Sequence, residues 1–140
     1  MDSAALFGGG ASPTKIPSRV DRTRSAALTP DGGTLYVKEK DKLCRYRLDA
    51  PAPCDGFAKA DNPGIMALDT DGRLLVEGGY KKTIRVLDLA TGKDLAQFEG
   101  HLGEIIYVRL VGNRVLSADS TGELRLWSLE TRELVASTRP

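Results

Sequence analysis

Ile84-Arg85-Val86-Leu87-Asp88-Leu89 returns forty residues later as Leu124-Arg125-Leu126-Trp127-Ser128-Leu129. A weaker copy, Leu43-Cys44-Arg45-Tyr46-Arg47-Leu48, stands forty-one residues earlier. A period of this length marks one supersecondary unit used several times, whose copies bury their apolar faces by stacking. Outward from each copy the same signals recur. Ser25-Ala26-Ala27-Leu28, the turn Thr29-Pro30-Asp31-Gly32-Gly33 and Thr34-Leu35-Tyr36-Val37 precede the first. Gly64 to Leu68, Asp69-Thr70-Asp71-Gly72 and Leu74-Leu75-Val76 precede the second, and Ile105 to Leu110, Gly112-Asn113 and Arg114-Val115-Leu116 the third. A fourth apolar segment follows each, near Gly56 to Ala58, Asp94 to Phe98 and Glu133 to Ser137.

β-branched and aromatic runs bounded by Gly, Asp and Asn clusters every 8 to 12 residues read as short strands joined by tight turns. Four antiparallel strands per unit is the plan of a propeller blade. A helical repeat would carry apolar residues at i, i+3 and i+4 over a dozen positions, and no such run is present. The expected fold is all-β, a partial β-propeller of about three four-stranded antiparallel blades over residues 25–60, 61–99 and 100–140. Residues 1–24 hold Gly8-Gly9-Gly10, two prolines and no period. They read as a flexible tail, with an edge strand through Ile16 to Val20 as the lesser alternative.

The third unit resembles the WD-repeat β-propeller family. Gly100-His101 opens it, and Trp127-Ser128 stands twenty-six residues on, where the family has Trp-Asp. Arg114 to Ala118 and Thr121 to Trp127 also fit. The second unit has Leu87-Asp88 and Asp61-Asn62 at the matching places, and the first has Tyr46-Arg47 and no Gly-His. The resemblance implies a buried hydrogen-bonded network, carried here by His101, Ser117 and Trp127, with a structural role. The family's turn Asp falls on Thr121, which leaves that network incomplete. It also implies a non-catalytic scaffold that displays loops to protein partners.

Composition narrows the function classes. The 140 residues are 41% hydrophobic and 28% charged, with 20 basic and 19 acidic side chains. A near-zero balance does not suit wholesale phosphate neutralisation, so nucleic acid is not an expected partner. No stretch nears the roughly 18 to 20 apolar residues of a membrane-spanning helix, and Ala4 to Phe7 is too short for a signal-peptide core. The expected location is cytoplasmic. In a hairpin around Ala50-Pro51-Ala52-Pro53, Cys54 would lie opposite about Asp49, so no disulfide with Cys44 is expected.

No cofactor or metal site emerges. His101 is the sole histidine and fits the repeat register better than a catalytic role. Asp69-Thr70-Asp71-Gly72 has the start of a calcium loop but not its later bidentate carboxylate, and reads as a turn. The resemblance places the turns between second and third strands, 38–42, 78–83 and 118–123, on one face, which would run from basic to acidic; solvated turns charged for solubility are the plainer reading, and a docking face the sharper one. Candidate partner-binding residues are Lys40, Lys42, Tyr80, Lys81, Tyr107 and Arg109, where aromatic area lies beside cations. Closed propellers have four to eight blades, so three leave apolar flanks. The chain is then a fragment, a self-associating partial propeller such as a homo-oligomer, or the complement of another polypeptide's blades. Alternatives in function are a propeller enzyme holding a metal or small substrate in a central channel, and an accessory sensing domain of a signalling protein.

Overall fold

The structure is a computed structural model that describes residues 13–17, 26–39, 42–50, 52–54, 56–60, 65–79 and 81–139. Every regular element among them is a strand. Strands β1 (Ala26–Leu28), β2 (Thr34–Glu39), β3 (Lys42–Arg47) and β4 (Ala58–Lys59) form the first sheet. Strands β5 (Ile65–Thr70), β6 (Leu74–Gly79), β7 (Ile84–Asp88) and β8 (Asp94–Phe98) form the second. Strands β9 (Ile105–Val111), β10 (Arg114–Asp119), β11 (Leu124–Ser128) and β12 (Leu134–Ser137) form the third. Each sheet is antiparallel with strands in chain order, so the expected all-β, blade-like architecture stands.

The sheets stack in sequence, and burial explains the difference in their patterns. The middle sheet is covered on both faces, and its central strands read as continuous apolar runs, Leu74-Leu75-Val76 and Ile84 to Leu87. The third sheet is covered on one face, and β10 alternates, with Val115, Ser117 and Asp119 inward. Val76, Ile84, Val86 and Phe98 pack against Ile105, Val108, Val115 and Trp127. The rings of Phe98 and Trp127 stack with centroids 4.9 Å apart. On the other face of the middle sheet, Leu68, Leu75 and Leu87 pack against Ala27, Tyr36 and Leu43.

Polar contacts fix the spacing between sheets. The amide of Leu110 donates to Asp69 Oδ2 at 2.6 Å. Arg85 Nη2 donates to the carbonyl of Lys59 at 2.7 Å, and Arg132 donates to the carbonyl of Leu95. Gly78 marks the closest approach: a Cβ there would lie 2.5 Å from Ile105 Cγ2. The turn before β6 closes through Asp71 Oδ1, which accepts the amides of Arg73 and Leu74 at 2.8 Å each, around Gly72 at φ 89°. β5 runs on through Asp69 and Thr70, which the sequence reading placed in that turn.

The first sheet departs from expectation in three ways. Its last strand is only Ala58–Lys59, pairing with Leu43 and Lys42. The connection from β3 is therefore a long loop and not a hairpin, and it folds back across the sheet. That loop brings Cys54 to Cys44 with Cα atoms 5.0 Å apart, and the two form a disulfide. The assumed hairpin register had placed Cys54 elsewhere. Finally, Ile16 packs on Val37, Cys44 and Tyr46. Residues 13–17 thus contribute an apolar side chain to the packing, without strand structure. The rest of the expected tail lies outside the described residues.

Candidate functional site

Alternation along β10 sends Ser117 and Asp119 to the same buried face, and β11 brings Trp127 alongside, opposite Val115. His101 enters from the segment between β8 and β9. Its Nε2 lies 2.6 Å from Ser117 Oγ and its Nδ1 lies 2.8 Å from Asp119 Oδ2. Trp127 Nε1 donates to Ser117 Oγ at 2.9 Å. The protons are then assigned: His101 donates from Nδ1 to the carboxylate, and Ser117 donates its hydroxyl proton to Nε2 while accepting from the indole. His101, Ser117 and Trp127 are thus brought together in one chain of hydrogen bonds.

The carboxylate in that chain comes from Asp119, not from position 121. The alternation Val115, Ser117, Asp119 carried the signal, whereas the matching of turns placed the acid two residues late. A register shift between Ala118 and Asp119 in the β9–β10 pairing accompanies its turn inward. Thr121 supports it instead, donating from its amide at 2.8 Å and its hydroxyl at 2.5 Å to Asp119 Oδ1. Burial by itself would raise the Asp119 carboxyl. The Thr121 hydroxyl, His101 and the amides of Thr121 and Glu123 outweigh it and hold the group well below the usual carboxylate range. Glu123, beside His101, is also lowered, chiefly by the hydrogen bond from Arg125 and further by Ser137.

Serine, histidine and aspartate in this order have the connectivity of a nucleophilic triad. Access decides against that chemistry. Ser117 is 0% exposed, and its oxygen already accepts the Trp127 N–H. No substrate carbonyl can reach it, so the arrangement fastens β10, β11 and the segment before β9 together. A counterpart in the first sheet escaped the sequence reading. Tyr46, in the repeat place of Trp127, donates its hydroxyl to Glu39, and both are buried. The middle sheet has Leu87 there, and in place of the clamp it buries an ion pair, Arg85 Nε to Glu77 Oε1 at 2.7 Å.

The expected face of turns is not displayed whole. Asp119 and Glu123, the acidic end of the gradient, are buried in the clamp. Lys42, at the start of β3, and Lys81, in a turn, are exposed, while Lys40 and Tyr80 lie outside the described residues. Tyr107 and Arg109 sit apart from them, on β9. They line a cleft with Ala67, Asp69 and Asp71 on the face of the innermost strands. Asp69 and Asp71 do not gather there as cation ligands: Asp69 accepts the amide of Leu110, and Asp71 closes its turn. Among the described residues, no helix is long and apolar enough to cross a membrane.

Three stacked four-stranded sheets with this clamp fit a partial WD-repeat architecture. No family model matches the chain. It is 33% identical over 75 residues to pre-mRNA-processing factor 19 of Caenorhabditis elegans, a match covering 52% of this chain and 15% of that protein. Against the mouse protein of the same name it is 31% identical over 104 residues, 71% of this chain and 20% of the relative. Human kinesin-like protein KIF21B is 24% identical over 57% of this chain and 5% of its own length. The chain spans at most about a fifth of these relatives. The similarities support a protein-interaction scaffold in general terms.

Proposed function

We propose that this chain is a non-catalytic protein-interaction scaffold, a partial propeller whose third sheet is built to be covered by another blade. One observation supports the reading above the rest. Ala67, Val76, Ile84, Val86 and Ala96 of the second sheet are buried against the third. Forty positions on, the third sheet places Tyr107, Leu116, Leu124, Leu126 and Ala136 on its outer face. Ile84 and Val86 are 0% exposed, whereas Tyr107 is 44% and Leu124 41% exposed. Covering a leucine is worth about 1.5–3 kcal/mol, so the face drives association.

Arg109 stands where the second sheet has Asp69, the acceptor for the next sheet's amide. A guanidinium only donates, so the covering sheet must offer a carboxylate or carbonyl at that place. Further blades of a longer polypeptide or a second copy of this chain are the occupants this reading allows, and a cytoplasmic location belongs to the same proposal. Light scattering on a size-exclusion column tests it. We expect the mass to rise above 15.1 kDa with concentration. The double variant Leu124→Glu, Leu126→Glu should remain monomeric. A single 15.1 kDa species of the native chain at every concentration would exclude the second copy, and the same result with no binding of an apolar fluorescent dye to this face would overturn the reading.

A further inference from the structure

The two ends of the stack are unlike. The outer face of the third sheet is open, yet the outer face of the first is closed by this chain itself. Val37, Cys44 and Tyr46 are buried beneath Ile16, Leu35 and Cys54. Position 44 has a particular meaning in the repeat. Its counterpart in the second sheet is Arg85, which reaches back to the carbonyl of Lys59 in the preceding sheet. In the third it is Arg125, which pairs with Glu123 and lies over the Trp127 ring. In the first sheet the side chain is a thiol, and it is joined to the loop of its own sheet. A place that the second sheet uses for contact with its neighbour is here occupied by a latch within one sheet.

The two sulfurs differ in access. Cys44 is 0% exposed, among Val37 and Tyr46. Cys54 is partly exposed, on a loop whose neighbours Ala52 and Pro53 face solvent. The amide of Gly56 lies 3.3 Å from Cys54 Sγ and donates to it, which favours negative charge on that sulfur. We propose that Cys44–Cys54 is an exchangeable latch over the outer face of the first sheet, with Cys54 the sulfur at which a small-molecule thiol or disulfide such as glutathione enters.

The exchange balances as follows. In closing, the Cys54 thiolate attacks one sulfur of glutathione disulfide, forming a mixed disulfide and releasing one glutathione thiolate. Cys44, giving up its proton, then attacks Cys54 Sγ and expels the second glutathione. Two protein thiols lose two electrons and two protons, and the glutathione disulfide takes up both. In opening, a glutathione thiolate attacks Cys54, Cys44 leaves as the thiolate and is protonated, and a second glutathione frees Cys54. Opening releases the loop from Cys44 and takes away the part of the cover over Val37 and Tyr46 that Cys54 supplies, while Ile16 remains. In a reducing compartment an ordinary structural disulfide would not persist, whereas an exchangeable one answers to the thiol balance.

The test adds glutathione disulfide to the reduced protein and maps the adducts by mass spectrometry. Cys44→Ser should accumulate glutathione on Cys54. Cys54→Ser should label Cys44 roughly tenfold more slowly, because the buried sulfur is screened from the reagent. Since Cys44→Ser places a hydroxyl in an apolar site and can unfold the sheet, time-resolved mapping of the native sequence gives the same answer: its first adduct should be on Cys54 and should vanish as the disulfide closes. Amide exchange across residues 48–57 should be faster in reduced than in oxidised protein. Labelling of Cys44 as fast as Cys54, or equal exchange of that loop in both states, would overturn the proposal.

Discussion

At the residue scale, the clamp is a set of polar atoms that tolerate burial only as a group. Ser117→Ala leaves the Trp127 indole N–H and the His101 Nε2 without partners. Each orphaned buried group costs about 1–3 kcal/mol, so urea unfolding should show a loss of about 2–4 kcal/mol. The Asp119 carboxyl adds a pH dependence with a definite sign. Its folded value lies below the ordinary 3.8, so the unfolded chain takes up the proton first. The stability it contributes is present above that ordinary value and is lost as acid carries the solution through and below it. Asp119→Asn should lower stability at neutral pH and flatten the slope of unfolding free energy against pH in the acid range. An unchanged acid slope would remove Asp119 as its source. The resemblance of the third unit to a WD repeat made His101, Ser117 and Trp127 legible together. Asp119 was misplaced because turns were aligned by composition, while the strand's alternation of faces decides which side chain is inside.

At the element scale, the middle sheet is held by packing and by one buried ion pair. Arg85→Met takes this cation away from a fully buried Glu77 and should cost about 3–5 kcal/mol. The double variant Arg85→Met, Glu77→Leu should recover most of that loss, because the buried carboxylate goes with its cation and Asp94, the other acid beside Arg85, is half-exposed to water. A thermal-denaturation cycle over the four proteins checks it, and additive losses would show that the pair is not coupled. Gly78 tests the contact between second and third sheets. Gly78→Val would drive side-chain atoms into Ile105 and should cost about 1–3 kcal/mol or more. Gly112, between β9 and β10, where a Cβ meets nothing, tests conformation alone, since its φ of 58° disfavours other residues. The four-strand order of each sheet was readable from turn spacing and β-forming runs. The loop between β3 and β4 was not, since its length depends on where β4 pairs, and that is a contact between distant residues.

At the scale of the whole molecule, the stack is polar: one end is closed by Ile16 and the Cys54 loop, and the other shows Tyr107, Leu124 and their neighbours. Removing apolar side chains from the open face offers a further check. Tyr107→Ser with Leu116→Gln should reduce binding of an apolar fluorescent dye while leaving the clamp intact, and an unchanged dye signal would place the exposed apolar area elsewhere. The sequence by itself determined the strand content, the forty-residue unit and the number of sheets, which follow from local periodicity, turn chemistry and repeat spacing, all written in neighbouring residues. Three members of the clamp came from the resemblance of the third unit to a WD repeat. Only the tertiary structure decided that Asp119 completes the clamp, that Cys44 meets Cys54, that Glu123 is buried and that one flank is sealed while the other is open. Each of these depends on which distant segments share a face, and composition carries no record of that until the sheets are stacked.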